Sequence, residues 1–201
     1  NPKLGLTWSP FAGTTLRAAA FRAFKRTLIT DQTLEPTQVA GFNQFFDDFD
    51  GTRSWRYGLG RDQKFSRNVF GGVEATRRDL TYPLQVGGQK FEPSWLEYEG
   101  RGYLLWTART WLALRAEYTF ERLVRDPVSP LLGATFGVRE ANTHRVPLGL
   151  ALFHRSGLGV TATATFFDQS GSFGESEPYT HGSDRFWLID AGLSWRLPRP
   201  L

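Results

Sequence analysis

Hydrophobic and polar residues alternate along most of this chain, and the alternation is most regular between residues 95 and 122. Every second residue of 96–106 is apolar or glycine, while Glu97, Glu99, Arg101 and Tyr103 form the other face. After a turn at 107–110 the alternation starts again and continues to the end of the stretch. A period of two is the pattern of a β-strand with one apolar face, so the stretch predicts a two-stranded hairpin.

The same period predicts seven further strands, at 3–8, 14–24, 54–65, 69–78, 144–153, 158–167 and 186–197. Pro147 lacks a backbone N–H, so we expect it near the start of its strand or at a local irregularity. The connections alternate in length, with short turns at 9–13, 66–68, 107–110 and 154–157 and long loops at 25–53, 80–94, 125–142 and 169–184. This alternation predicts an all-β, antiparallel, up-and-down arrangement of about nine strands.

Strand length and tryptophan position both indicate a membrane. The hairpin strands are about 11 residues long, which matches the roughly 9 to 11 tilted residues that cross a bilayer. All seven tryptophans are expected at strand ends, where an amphipathic ring meets the membrane–water boundary, whereas a soluble sandwich or lipocalin-like barrel would bury most of them in mid-strand. Short turns on one side and long loops on the other are typical of outer-membrane barrels. We therefore predict a transmembrane β-barrel in contact with bacterial outer-membrane lipid.

Composition agrees with a barrel. Aromatic residues make up 15% of the 201 residues and glycine accounts for 21, yet the mean hydropathy is −0.36. A barrel reconciles these values, because only alternate residues need to be apolar when the interior is polar. The absence of cysteine excludes disulfides and thiolate metal sites. A net charge of +4, dispersed along the chain, argues against nucleic acid as a partner.

The predicted strand count bears on domain organisation. Single-chain bacterial barrels have even strand numbers and return both ends to the periplasm, whereas nine strands are odd and place the two ends on opposite sides. We therefore expect residues 1–201 to be a single transmembrane segment of a larger barrel. The closing strands and an upstream plug or periplasmic domain would lie outside it.

Alternation also assigns the side chains to two faces. We expect the outward, lipid-facing set to include Leu104, Leu112, Leu114, Leu150, Val160, Ala162 and Leu193. The inward, lumen-facing set mixes both signs of charge, which favours cross-strand ion pairs or the lining of a water-filled channel. This set comprises Arg17, Arg56, Glu74, Arg78, Glu97, Glu99, Arg101, Arg115, Glu117, Glu121 and Arg145.

The loop at 41–51 contains four phenylalanines and three aspartates. The aspartates could ligate Ca²⁺, but the glycine and closing glutamate of a known calcium loop are missing, so we predict no metal and keep a solvated acidic loop as the simpler interpretation. Exposed aromatics in a loop imply either folding back into the lumen or contact with a ligand or partner, and we favour folding back. The candidate ligand-binding residues of this loop are Phe45, Phe46, Asp47, Asp48 and Asp50.

Catalytic patterns with usable spacing do not occur in the sequence. The three histidines are scattered, and the chain has no zinc-protease, nucleophile-elbow or phosphate-loop motif. His154 and Ser156 faintly suggest a lipase, but both lie in a predicted short turn, where polar residues are ordinary. We therefore predict that the protein is not an enzyme and uses no cofactor.

Two segments resemble known barrels. The opening NPKLGLTWSPFAGTTLRAAAFRAFKR is similar to a strand, short turn and strand that precede a long loop in TonB-dependent receptors, and Leu34-Glu35-Pro36 resembles an element of that loop. The closing DAGLSWRLP, residues 190–198, is similar to a strand near the end of such barrels. The resemblance implies solute uptake across the outer membrane, with a TonB-type energising complex as partner.

Two alternatives stay open at the level of the sequence. The resemblance extends to export or secretion porins that carry a periplasmic tetratricopeptide-repeat domain, which would reverse the direction of transport. A barrel that anchors or encloses a partner protein, and transports nothing, is the other. The residues before Asn1 would separate uptake from export, since a plug with a TonB box differs from helical repeats.

Overall fold

The structure, a computed structural model, describes residues 2–25, 38–44, 48–86, 88–125, 137–174 and 178–196. None of these residues lies in a helix long and apolar enough to cross a membrane. The strands are β1 (Lys3–Phe11), β2 (Thr14–Phe24), β3 (Gln38–Val39), β4 (Phe42–Asn43), β5 (Arg53–Lys64), β6 (Val69–Thr81), β7 (Leu84–Val86), β8 (Gln89–Phe91), β9 (Ser94–Arg109), β10 (Leu112–Arg125), β11 (Val138–Phe153), β12 (Leu158–Phe173) and β13 (Thr180–Trp195).

The nine long strands form one antiparallel sheet in the order β1-β2-β5-β6-β9-β10-β11-β12-β13. Each long strand pairs with the next long strand along the chain, so the predicted all-β meander is confirmed. The connections at 12–13, 65–68, 110–111 and 154–157 are short and lie at the same edge of the meander. The connections at the opposite edge are longer, and two of them carry the hairpins β3–β4 and β7–β8.

Strands β11, β12 and β13 each extend well beyond the bounds that the sequence predicted. β11 begins at Val138, β12 continues to Phe173 and β13 begins at Thr180, so much of the predicted loop at 169–184 is paired strand. The glycine and serine residues of this stretch are typical of a loop. The hydrogen bonds between strands need only backbone groups, however, and Gly171 pairs with Gly182. Trp187 consequently lies halfway along β13, and its predicted place at a strand end was wrong.

Pro147 lies inside β11, at a local irregularity. The pairing of β10 with β11 passes from Ala116↔Leu148 directly to Thr119↔Arg145, so the ladder is interrupted beside the proline. A missing N–H explains the interruption, because proline has no hydrogen to donate to the neighbouring strand.

One face of the sheet is apolar and exposed. Cross-strand pairing joins Leu114, Leu150, Ala162 and Ala191 into a single row of that face. The predicted outward residues all belong to it, and Leu104 and Leu193 are 46% and 76% exposed. The opposite face carries most of the charged residues of the strands. The described residues therefore show the inverse of a soluble core, with large apolar side chains on an uncovered surface.

The sheet is open. β1 pairs with β2 and β13 pairs with β12, and the two edge strands do not pair with each other. Every residue of β13 is exposed. The described strands by themselves therefore form a nine-stranded antiparallel sheet and not a closed barrel.

The buried core is small and lies on the polar face, where the hairpin β3–β4 covers the first strands. Ala19, Phe21 and Phe42 are its buried members, and Val39 and Ala40 pack against them. The long loop at 25–53 thus contributes the largest buried contact of the sheet.

Substitution of Gly157, in the turn between β11 and β12, tests whether the end of β13 packs on this turn. Gly157 and Gly88 have φ angles of 86° and 83°, so alanine at either position costs about 1 kcal/mol of backbone strain. A methyl group at Gly157 would also meet the carbonyl oxygen of Arg196, whose N–H donates to the Gly157 carbonyl at 2.9 Å, whereas nothing lies within 4 Å at Gly88. We expect Gly157→Ala to lower the free energy of unfolding in urea clearly more than Gly88→Ala does. Equal losses would mean that the end of β13 does not pack on this turn.

Candidate functional site

The polar face of the sheet is the candidate site. Continuous cross-strand pairing sets its residues in rows, and one row contains Arg17, Glu74, Arg101, Thr119 and Arg145. The structure places all eleven residues of the predicted lumen-facing set on this one face, because side chains alternate along each strand and the register shifts of the sheet lie near strand ends, outside these positions.

Arg17 of β2 is the centre of a first charged cluster. Its Nε donates to Asp62 Oδ2 at 2.7 Å and its Nη2 donates to Glu74 Oε2 at 3.0 Å. The Tyr103 hydroxyl donates to the other oxygen of Asp62 at 2.6 Å. One guanidinium therefore connects β2, β5 and β6, and the tyrosine adds β9. Asp62 and Tyr103 were absent from the predicted site set, although the same alternation places them inward.

Arg56 and Arg78 form a second cluster. They are direct neighbours across β5 and β6, and only 5% and 4% of their surfaces are exposed. Two buried cations side by side repel each other, and carboxylates compensate the repulsion. Arg56 donates to Glu99 at 3.2 Å, while Arg78 donates to Glu97 at 3.0 Å and also pairs with Asp48.

A cavity of about 400 Å³ lies along this second cluster. Arg56, Thr76 and Arg78 line one side, and Glu121 and Thr143 belong to the opposite side. Its walls can offer both hydrogen-bond donors and carboxylate acceptors, which suits a polar molecule.

The third cluster joins β9 to β10. Arg101 donates from Nε and Nη2 to the two oxygens of Glu117, at 2.9 and 3.2 Å, in a bidentate pair. Among the described residues, Arg115, Glu121 and Arg145 have no ion-pair partner. Four of the six predicted inward arginines therefore form ion pairs with carboxylates, and the other two, Arg115 and Arg145, do not.

The hairpin β3–β4 folds onto the polar face, above β1, β2 and β5. Ala40 and Gly41 have φ angles of 49° and 86°, the two successive positive values of a tight hairpin turn. The Phe42 ring, 1% exposed, covers Gly58, and the Arg17 guanidinium lies 5.1 Å from the ring centroid. Arg17 Nη1 also donates to the Ala40 carbonyl at 3.3 Å. The first charged cluster and the hairpin thus stabilise each other.

The predicted ligand-binding loop is only partly described. Phe45, Phe46 and Asp47 lie outside the described residues. Asp48 is paired with Arg78 on the polar face, and Asp50 is exposed. Ligand binding by this loop stays a prediction, and in the structure Asp48 helps to hold the loop on the sheet.

Aromatic rings cluster where the same loop meets the ends of β6 and β9. Phe49 lies 5.4 Å from Tyr82 and 6.2 Å from Trp95, measured between ring centroids, and Arg125 stacks on Trp95 at 4.8 Å. Tyr82 is 4% exposed, and this burial raises the pKa of its phenol. Phe49 itself is half exposed, so it lies at the rim rather than deep on the polar face.

Residues with catalytic or metal-binding chemistry are not gathered in the described ranges. His154 Nδ1 and the Ser156 hydroxyl are 2.9 Å apart, but both belong to an exposed turn. No carboxylate in the described part of the chain bonds to this histidine. No group of three His, Asp or Glu side chains among the described residues is arranged to hold a metal ion.

Gly58→Ala tests the docking of the hairpin. A methyl group at this position would lie 2.6 to 2.9 Å from three atoms of the Phe42 ring, closer than packed carbon atoms allow. We expect the ring to leave its place and the amides of β3 and β4 to exchange hydrogen faster, by about tenfold or more. Gly100→Ala is the matched control, because nothing lies within 4 Å of that site and exchange should be unchanged. Unchanged exchange in Gly58→Ala would contradict the contact.

Neither the models of known protein families nor the curated proteins match the chain. The resemblance to TonB-dependent receptors therefore remains a resemblance of short segments, and what the protein does has to be argued from the two faces of its sheet.

Proposed function

We propose that this sheet is part of the wall of a β-barrel in the bacterial outer membrane, and that the barrel takes up a polar solute in the manner of a TonB-dependent receptor. The observation that carries the proposal is the division of one continuous sheet into an exposed apolar face and a charged face. Lipid covers the first, and a water-containing passage borders the second. The resemblance of the terminal segments supports uptake and a TonB-type energising complex as partner.

The apolar face suits lipid in several respects. Large apolar side chains are exposed on this face, and Ile189, for example, is 75% exposed. Contact of such side chains with water is unfavourable, whereas contact with lipid acyl chains is favourable. Shallow grooves of about 580 and 610 Å³ run over this face where small residues such as Gly102 and Ala18 lie, and flexible acyl chains can fill them. Near the edge with longer connections, Arg22 is paired across the strands with Trp55, as expected of a headgroup-level belt.

The two open edges support a larger wall. Each unpaired backbone group in hydrocarbon costs several kcal/mol, so β1 and β13 must pair with further strands in a membrane. In a completed barrel the hairpin β3–β4, held on the polar face by Phe42, narrows the passage beside the first charged cluster. Transport then requires the solute to pass between this hairpin and the opposite wall.

Labelling of single cysteines tests the membrane wall, and the natural absence of cysteine makes the background clean. Ala162 and Thr163 are successive residues of β12 on opposite faces, paired with Leu150 and Gly149 respectively. In membranes, we expect Thr163→Cys to react with a hydrophilic maleimide and Ala162→Cys to react only with a lipid-soluble one. Equal reaction of both with the hydrophilic reagent would show that water covers both faces and would refute the membrane wall.

The direction of transport is tested in cells with and without the gene. We expect cells with the gene to remove at least one polar solute from the growth medium that the deletion strain leaves there. Removal should stop when an uncoupler dissipates the proton gradient, because TonB-type uptake is energised from the inner membrane. A solute that accumulates in the medium only when the gene is present would instead identify an exporter.

A further inference from the structure

The charged residues of the polar face differ in how fully they are paired. On β2, β5 and β6 and the hairpin-bearing loop, three arginines face the carboxylates of Asp48, Asp62, Glu74, Glu97 and Glu99. Around β10 the balance is reversed, because Arg101, Arg115 and Arg145 surround Glu117. Glu121, one row away, is exposed, and Asp184 and Asp190 lie on the same face farther along, on β13. Immediately around Glu117, three arginines therefore face one carboxylate.

Arg115 and Arg145 are available to a ligand. Arg101 already occupies both oxygens of Glu117, so the other two guanidinium groups interact with this carboxylate only through space. Arg115 is exposed, and Arg145 is half-buried with its Nε enclosed and without an acceptor in the described part of the chain. A buried charged donor without an acceptor is costly, and an anion placed there would relieve the cost.

Thr119 marks the centre of the same site. It lies between Arg101 and Arg145 in one cross-strand row and is 1% exposed. Its hydroxyl oxygen is buried and has no hydrogen-bond partner among the described residues. A side-chain movement that uncovers this hydroxyl would let it exchange a hydrogen bond with a ligand bound at Arg145.

An aromatic platform adjoins the arginines. Phe167 is paired across the strands with Arg145 on one side and with Phe186 on the other. The two rings are stacked, with centroids 4.8 Å apart and planes 11° apart, and Phe186 is 41% exposed on the same face as the arginines. Exposed rings beside charged donors offer a flat apolar surface to a ligand that carries both an apolar face and an anionic group.

We propose that Arg115, Thr119, Arg145 and the Phe167–Phe186 pair bind an acidic carbohydrate as it passes along the wall. The carboxylates of the sugar bind the two guanidinium groups, and the C–H face of a sugar ring packs on the phenylalanines. The inference rests on the proposed transport function and names the class of solute. It makes β10 to β13 the binding wall of the sheet.

Binding is tested on the protein purified from membranes in detergent, with trigalacturonic acid as the probe and maltotriose as its neutral counterpart. We expect trigalacturonic acid to bind about tenfold or more tightly than maltotriose, and Arg115→Gln/Arg145→Gln to remove about this advantage, since a hydrogen bond to a charged group is worth roughly tenfold in affinity. Phe186→Leu should weaken the binding of both sugars.

Arg61→Gln is the matched control, because it removes one guanidinium from the opposite, apolar face. It should leave binding unchanged. If the double variant fails to fold, Arg115→Gln alone serves, since that side chain is exposed and unpaired in the described structure.

Equal binding of the two sugars, or unchanged binding in the arginine variants, would overturn the inference. Protein that fails the cysteine-labelling test refutes the membrane wall, whereas protein that passes it and binds no acidic sugar refutes only this proposal.

Discussion

The backbone ladder between neighbouring strands determines where every side chain of this sheet points. Successive residues of a strand face opposite sides, and pairing from β1 to β13 keeps those sides aligned over nine strands. A slip of one residue in any pair would bring leucines to the charged face and arginines to the apolar one. The interruption at Pro147 costs some pairing, but the register on either side of it is the same. Because the pairing is continuous, the short apolar and polar alternations of single strands combine into two chemically distinct faces.

Ion pairs, more than apolar burial, fix the geometry of the polar face. Its buried cluster has few members, whereas Arg17, Arg56, Arg78 and Arg101 each bind carboxylates from other strands. Buried pairs of this kind contribute modest net free energy, because desolvation offsets most of the attraction, but breaking one leaves an uncompensated charge. The pairs therefore enforce register and geometry. The hairpin β3–β4 depends on them directly, since Arg17 contacts both its turn and its phenylalanine.

The inverted distribution of apolar residues connects this architecture with the proposed function. A sheet with a polar interior and an apolar exterior is stable only where the exterior solvent is lipid. In the proposed barrel, the unpaired arginines, the buried Thr119 hydroxyl and the stacked phenylalanines lie on the side that a passing solute meets. In this proposal, different residues of the same face serve stability and binding. The ion pairs near β2 to β9 hold the strands, and the arginines on β10 and β11 without an ion-pair partner in the described part of the chain bind the solute.

The sequence alone determined the strands, their meander order and the assignment of side chains to faces, because a period of two is a local property of each strand. It could not determine which charges pair, since Arg101 and Glu117 meet only through the register of β9 and β10. It also misplaced Trp187, because a glycine- and serine-rich strand has no side-chain pattern, and only its partner strand shows that it is one. The sequence predicted that Phe42 folds back into the lumen, but it could not predict the contact with Gly58. That contact depends on tertiary structure, because the glycine on β5 has no side chain and leaves room for the ring. Long-range contacts of this kind are set by packing across the sheet and have no local signal in the chain.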